Sequence, residues 1–277
     1  MADVPSITLN NGVEIPQLGF GTFQIERDDA VKATLVALEA GYRHIDTAQM
    51  YGNEAEIGDA LHTFDAPREE IFVTSKLNNG NHGREDALRS FDETLGKLGL
   101  DQLDLFLMHW PMPGVGDFVD TWRAMIEMHE SGRVKAIGVS NFQTHHLQRI
   151  LDETDVVPVV NQIECHPYFH NDVVRRFGAE HDIVTEAWSP IAQGDVIDDA
   201  TLSEIGDRLG KSAAQVTLRW HLQRGDVVFP KSTTPERVEE NMDIFDFELA
   251  VEDMDRIAGL DRNERKGPDP DEFNMVP

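Results

Sequence analysis

The chain has 277 residues, with 51 acidic against 24 basic side chains for a formal charge of −27, 40% hydrophobic residues and a single cysteine. An excess of negative charge on this scale repels nucleic-acid backbones and anionic membrane surfaces, so neither is expected as a partner. The lone Cys165 excludes an internal disulfide framework, and no apolar run approaches the roughly 18 to 20 residues of a membrane span.

The opening Met1-Ala-Asp-Val-Pro-Ser has neither a basic region nor a secretory apolar run, so a cytoplasmic location is expected. The acidic surface has two readings: plain solubility, or a source living at high salt, where concentrated cations screen the self-repulsion. The second expects activity retained or raised in molar KCl.

In chain order, residues 6–15 form a hairpin pattern, with Asn11-Gly12 expected to supply two positive-φ residues between alternating arms. This element, residues 1–16, precedes a repeat. Apolar runs at 17–20, 42–46, 71–76, 103–109, 136–141, 157–163, 183–188 and 227–230 alternate with helical stretches, in one of which Leu88, Phe91, Leu95 and Leu98 recur at three- and four-residue steps. Gly41, Gly99 and Gly132 stand where helix C-termini fall. Eight strands alternating with helices predict a closed parallel (β/α)8 barrel, an α/β fold of about 250 residues that leaves no sheet edge. Residues 195–224 are too long for one helix and are expected to hold two extra-packed helices split near Gly210-Lys211-Ser212. No linker interrupts residues 1–277, read as one domain; the Pro-rich, charged tail, residues 262–277, is either a loose end or a flap over the site.

Nearly every strand ends in a reactive or ligand-binding type: Asp46, Lys76, His109, Ser140-Asn141, Gln162, Trp188 and Lys231-Ser232. In a barrel such ends converge on one face. Singly each has a dull reading, as a surface charge, a satisfied core histidine, a core tryptophan or a cap. Asp46, Tyr51, Lys76 and His109 make sense together as a carbonyl reductase site. Tyr51 is expected on the loop before the Gly52-Asn53 turn, and Lys76, ion-paired to Asp46, is expected to lower its pKa so that its proton becomes transferable. His109 in neutral form would orient the substrate oxygen. No side chain donates hydride, so a nicotinamide cofactor is required. There is no Gly-x-Gly-x-x-Gly fingerprint; Gly19-Phe-Gly-Thr is a glycine-bearing strand end that could equally be a tight turn. A better phosphate site is Lys231-Ser232-Thr-Thr234-Pro235-Glu-Arg237, where Thr234 is expected to cap a helix and Pro235 to occupy its first turn, with Lys231 and Arg237 favouring NADP(H) over NAD.

These motifs resemble the aldo-keto reductase family over essentially the whole length: Gly19-Phe-Gly-Thr, Tyr42-Arg-His-Ile-Asp-Thr-Ala with Tyr51-Gly-Asn-Glu, Thr74-Ser-Lys76, His109-Trp-Pro, Gly138-Val-Ser-Asn-Phe142, Asn161-Gln162-Ile-Glu-Cys-His-Pro-Tyr168, Ala187-Trp-Ser-Pro190 and Pro230-Lys-Ser232. Within it the chain is most similar to prokaryotic members like 2,5-diketo-D-gluconate reductase. The resemblance implies that Tyr51 is the general acid, that Asp46 and Lys76 tune it and that His109 orients the carbonyl. It further implies cofactor contacts from Gly21, Thr22, Asp46, Ser140, Asn141, Gln162, Trp188, Ser189, Ile191, Lys231, Ser232, Arg237, Glu240 and Asn241. Two departures stand out: Leu77-Asn78 follow Lys76 where many relatives place a tryptophan, and Ile191 replaces a common leucine.

An open substrate pocket is expected, lined by Phe23, Met50, His109 and Trp110, in an NADP-dependent monomer that reversibly reduces small-molecule aldehydes or ketones. The rivals are a non-catalytic NADP(H)-binding redox sensor on the same fold and an unrelated metal-dependent hydrolase. No metal is expected, since the histidines are scattered: His145-His146 read as a helix surface and His166-Pro167 as a turn. Cys165, with no basic residue expected near it, reads as packing rather than a nucleophile.

Overall fold

The computed structural model describes residues 4–276. Strands β1 (Ser6–Thr8) and β2 (Glu14–Pro16) form the expected antiparallel hairpin, but its turn differs from the expectation. Gly12 has φ +85°, whereas Asn11 is not left-handed. Gly12 N donates to Leu9 O (2.8 Å) and Leu9 N to Val13 O (2.8 Å), a longer loop in which one left-handed residue suffices.

The remaining strands are β3 (Phe20–Gly21), β4 (His44–Asp46), β5 (Phe72–Leu77), β6 (Leu103–Met108), β7 (Val134–Ser140), β8 (Val160–Glu164), β9 (Val184–Trp188) and β10 (Val227–Val228). They pair in sequence order, all parallel, as an eight-stranded sheet. The sheet closes on itself. Gly19 N donates to Val228 O (2.9 Å), Val228 N to Gln17 O (3.0 Å) and Gly21 N to Pro230 O (3.3 Å), so the first and last strands share a seam and no edge is left open.

Helices α1 (Arg27–Ala40), α2 (Glu54–Thr63), α3 (Arg84–Leu98), α4 (Phe118–Glu130), α5 (Thr144–Glu153) and α6 (Asp172–Glu180) supply the crossovers. The long connection after β9 holds the two expected helices, α7 (Ala200–Leu209) and α8 (Ala213–Gln223). The chain breaks between them because Gly210 turns left-handed at φ +70° and Ser212 starts a capping box with Gln215. Helices α9 (Pro235–Met242) and α10 (Val251–Ala258) follow β10. Among the described residues no helix is long and apolar enough to cross a membrane.

The period-two alternation of each strand sorts its residues between two layers. Outward residues such as Ile45, Val73, Phe106 and Met108 pack with Phe91, Leu95 and Leu98 of α3 and the other helices, each fully buried Leu or Phe contributing roughly 1.5–3 kcal/mol. Inward residues Phe72, Leu105, Leu107, Ala136, Val160, Val227 and Phe229 fill the lower barrel, and Leu9 and Ile15 of the hairpin join that cluster as its plug. Higher in the same inward column the residue types change. After His44 comes Asp46, after Phe72 and Thr74 comes Lys76, after Val160 comes Gln162, and after Val184 come Glu186 and Trp188.

Candidate active site

The polar top of that inward column is one bonded cluster. Lys76 Nζ, fully buried, donates to Asp46 Oδ1 (2.6 Å), Thr47 O (2.9 Å) and the Tyr51 hydroxyl (3.2 Å). Tyr51 closes a single 3-10 turn, Gln49–Tyr51, rather than lying in an irregular loop. Gln49 pins that turn: its Oε1 accepts from Asn78 N (2.7 Å) and Asn81 Nδ2 (3.0 Å), and its Nε2 donates to Ser90 O (3.0 Å) and Thr94 Oγ1 (2.9 Å). The His109 ring lies edge-on to Tyr51, with centroids 5.8 Å apart, and Phe23 flanks the other side at 5.1 Å.

Burial would strip the proton from Lys76, but Asp46 and Tyr51 outweigh it and hold the ammonium above its ordinary range. Tyr51 departs from expectation. Burial raises its pKa, and Lys76, although it pulls downward as anticipated, does not overcome that, so the free site carries an un-ionised phenol. Burial, reinforced by Lys76, drives His109 well below its usual value and keeps the imidazole neutral; its buried Nδ1 has no protein partner.

A second ring of bonds extends from this centre. Gln162 Nε2 donates to Asp46 Oδ2 (2.9 Å), Thr22 Oγ1 donates to Asp46 O (3.0 Å), and Ser140 Oγ donates to Gln162 O (2.9 Å). Asn141, left-handed at φ +63°, spends its amide inside the protein: Nδ2 donates to His109 O (3.0 Å) and Ser140 Oγ (3.1 Å), and Oδ1 accepts from Trp188 Nε1 (2.8 Å). Asn141 thus ties His109 to Trp188. Beyond Trp188 the chain runs through Ser189, Ala192 and Gln193, all at positive φ, a concentration of backbone strain characteristic of binding sites. Ile191 packs half-buried against both helix-side clusters.

The basic group lies apart, across the β3–β10 seam from Gly21. Lys231 and Arg237 are exposed and form no ion pair among the described residues, despite Glu236, Glu239 and Glu240 nearby, while Ser232 and Asn241 are buried. Thr234 occupies the N-cap position of α9 and Pro235 its first turn, but the Thr234 side chain does not cap; Ser232 Oγ instead accepts from Thr234 N (3.0 Å). Pro235 has no N–H and Arg237 N donates to Thr234 O (3.0 Å), so the Glu236 N–H is the first-turn donor left for an anion. Glu240 lends only its carbonyl, to Gln215 Nε2 (3.1 Å).

The tail is not a loose end. Glu164 accepts from the backbone N–H groups of Lys266 and Gly267, the latter at 3.0 Å, and a side chain on Gly267 would collide with the Trp188 ring. Further on, Asp271 lies 3.4 Å from His145 Nε2 and 3.6 Å from His146 Nε2, the Phe273 ring packs at a 45° tilt against Trp110 with centroids 4.3 Å apart, and Asn274 Oδ1 accepts from Gly114 N (2.7 Å). Trp110 is consequently buried, and the mouth expected to be open is narrowed; Met50 is half-buried in the Tyr51 turn.

Two further expectations need correction. His145 lies on the helix surface, but His146 turns inward, where its Nδ1 accepts from Gln143 N (3.2 Å) and packs against Phe118 and Phe142. Cys165 does have basic neighbours, since the α8 C-terminus brings Arg224 Nη1 to 3.7 Å from its Sγ; burial nonetheless pushes the thiol up to about 12, which leaves it inert. The site residues that strand-end reading passed over are Gln49, Glu164, Glu186 and Phe273. Glu186 alone carried a legible flag, an acid inside an otherwise apolar strand run.

The profile of the "Aldo/keto reductase family" matches residues 17–262. "Methylglyoxal reductase DkgA" of Escherichia coli strain K12 is 48% identical over 276 residues, covering 99% of each chain. "Glyoxal reductase" of Bacillus subtilis strain 168 is 46% identical over 269 residues, covering 97% of each. Among solved structures, a mutant of Gox0644 in complex with NADPH superposes with a TM-score of 0.95 at 42% identity, covering 99% of this chain and 100% of that one.

Proposed function

We propose, from the premise that this chain belongs to the aldo/keto reductase family, that it is an NADP(H)-dependent oxidoreductase reducing small aldehydes and ketones reversibly, with Tyr51 as proton donor. The observation that carries the reading is one ammonium: Lys76 Nζ, fully buried, touches both Asp46 and the Tyr51 hydroxyl at the barrel mouth. Small α-dicarbonyls are the foremost substrate class, a reading supported by the names of the two relatives and by the mouth that Trp110 and Phe273 narrow.

In reduction, a carbonyl oxygen placed between Tyr51 and His109 gains negative charge as its carbon is reduced. Tyr51 gives up its proton to that oxygen, and Lys76, already bonded to the hydroxyl, stabilises the phenolate left behind. Asp46 keeps Lys76 charged and in place. Neutral His109 donates a hydrogen bond that fixes which face of the carbonyl is presented. Such positioning plus proton transfer supplies roughly 10²–10⁴-fold of the acceleration. The oxidative direction reverses each transfer.

The chain's own groups fit the cofactor. When bound it supplies the hydride. Lys231, Arg237 and the Glu236 amide in the first turn of α9 would hold a phosphate monoester, and that charge is the reason for NADP(H) over NAD(H). Trp188, fixed by Asn141 and backed by Gly267, would offer a flat surface to the nicotinamide, with Ser140 and Gln162 beside it. The same reading has one catalytic unit per chain, working as a cytoplasmic monomer in a single domain spanning residues 1–277; a size-exclusion mass of two chains would contradict the monomer. The test of function is NADPH oxidation by purified protein across a panel of small aldehydes, ketones and dicarbonyls, beside NADH. Turnover preferring NADPH supports the reading, and tight NADPH binding without turnover on any carbonyl would replace it with a redox sensor.

A further inference from the structure

Seven acids are buried among the described residues, and six have a cationic partner, as Asp226 has Arg175 and Asp104 has Arg68 and Lys135. Glu186 is the exception. It points into the barrel from β9, one inward step below Trp188, fully buried. Its Oε2 accepts from Gln162 Nε2 (3.0 Å), its Oε1 has no partner, and it forms no ion pair among the described residues. The same Gln162 nitrogen donates its other proton to Asp46 Oδ2 at 2.9 Å. A continuous chain of contacts therefore runs from Glu186 through Gln162, Asp46 and Lys76 to the Tyr51 hydroxyl.

We propose that Glu186 is a positioning residue for the proton-transfer site, holding the Gln162 amide to Asp46 and, by taking up or giving up one proton in the barrel interior, adjusting how readily Tyr51 releases its own. The proposal rests on the reductase reading above. With both Gln162 N–H groups committed to carboxyl oxygens, Gln162 Oε1 is the atom left to face a bound carboxamide. The charged groups bearing on Glu186 are Asp46 from β4 and Lys76 from β5; its paired neighbours across the sheet, Gln162 on β8 and Val227 on β10, are neutral. Burial and then the Asp46 charge push the Glu186 carboxyl up to about 8, against the smaller opposing pull of Gln162 and Lys76. Below that point Glu186 is a neutral acid and Asp46 and Lys76 form a balanced pair. Above it, a second negative charge enters the interior, makes the Tyr51 phenolate harder to form and slows reduction.

The experiment compares wild type with Glu186→Gln, which keeps the acceptor for Gln162 but cannot ionise. In cofactor-free protein, infrared difference spectra between about pH 6 and about pH 10 should show a protonated-carboxyl band lost in wild type and missing from the variant. In the NADPH-dependent reaction, the variant-to-wild-type turnover ratio should rise at least ~3-fold from about pH 6.5 to about pH 9.5. Superimposable pH profiles overturn this proposal and leave the reductase reading intact, whereas absence of NADPH-dependent turnover in wild type overturns both. If the variant does not fold, the wild-type spectrum alone decides: no protonated-carboxyl band near pH 6 overturns the proposal.

Discussion

The buried centre and the basic pair on the rim are assembled by opposite means. Asp46, Lys76 and Tyr51 are fixed by hydrogen bonds to one another at the top of the barrel interior, where strand alternation points Asp46 and Lys76 inward and the Gln49–Tyr51 turn brings Tyr51 to them. Lys231 and Arg237 are exposed and form no ion pair among the described residues, on a chain of charge −27. The first region should therefore be intolerant of substitution and indifferent to salt. The second should be tolerant of substitution and sensitive to salt.

Replacing Lys76 with Met is the most severe way to probe this contrast. It strands the Asp46 carboxylate in the interior, which costs about 3–5 kcal/mol of stability, and removes the group that stabilises the Tyr51 phenolate. A lowered melting temperature together with a kcat fall of about 10²-fold or more is expected in thermal melts and steady-state assays. On the rim, the double change Lys231→Ala and Arg237→Ala should leave the melting temperature in place and raise the KM for NADPH about tenfold, bringing it toward that for NADH. A KM unchanged for NADPH would remove the rim from the cofactor site.

Salt sharpens the comparison further. In about 1 M KCl the screening length falls to about 3 Å, so the rim's attraction for phosphate weakens while the buried centre is untouched. The expected outcome is a KM for NADPH raised by a few-fold, with kcat retained or increased as the acidic surface is relieved of self-repulsion; inactivation by KCl would count against a high-salt role for that surface. The smallest effect belongs to Phe273→Ala, which uncovers Trp110. A rise of about two- to fivefold in KM for small carbonyls is expected, with bulkier ones admitted more readily.

The barrel, its helices and the converging strand ends were legible because periodicity alone states them: the steps from Asp46 to Lys76 to His109 to Gln162 to Trp188 are strand ends on one face. What the sequence did not show depends on neighbours far along the chain. Gln49 matters because Asn78, Ser90 and Thr94 meet it in space, and Glu164 because the tail returns more than a hundred residues later to lie on it. The sign of the Tyr51 shift also escaped, since proximity of Lys76 can be read from motif spacing whereas the degree of burial that outweighs it cannot. The hairpin turn failed for a local reason: Asn11-Gly12 permits a tight two-residue turn, but the observed longer loop needs only Gly12 left-handed.

The most direct test of the central claim is Tyr51→Phe, which removes the hydroxyl while keeping the ring beside Phe23 and His109. NADPH affinity, followed by quenching of protein fluorescence, and turnover of a small dicarbonyl should be measured on the same preparation as wild type. NADPH binding within about twofold of wild type and a kcat lower by about 10²-fold or more are expected. Near-full turnover with unchanged NADPH affinity would contradict the central claim, because the proton would then come from elsewhere.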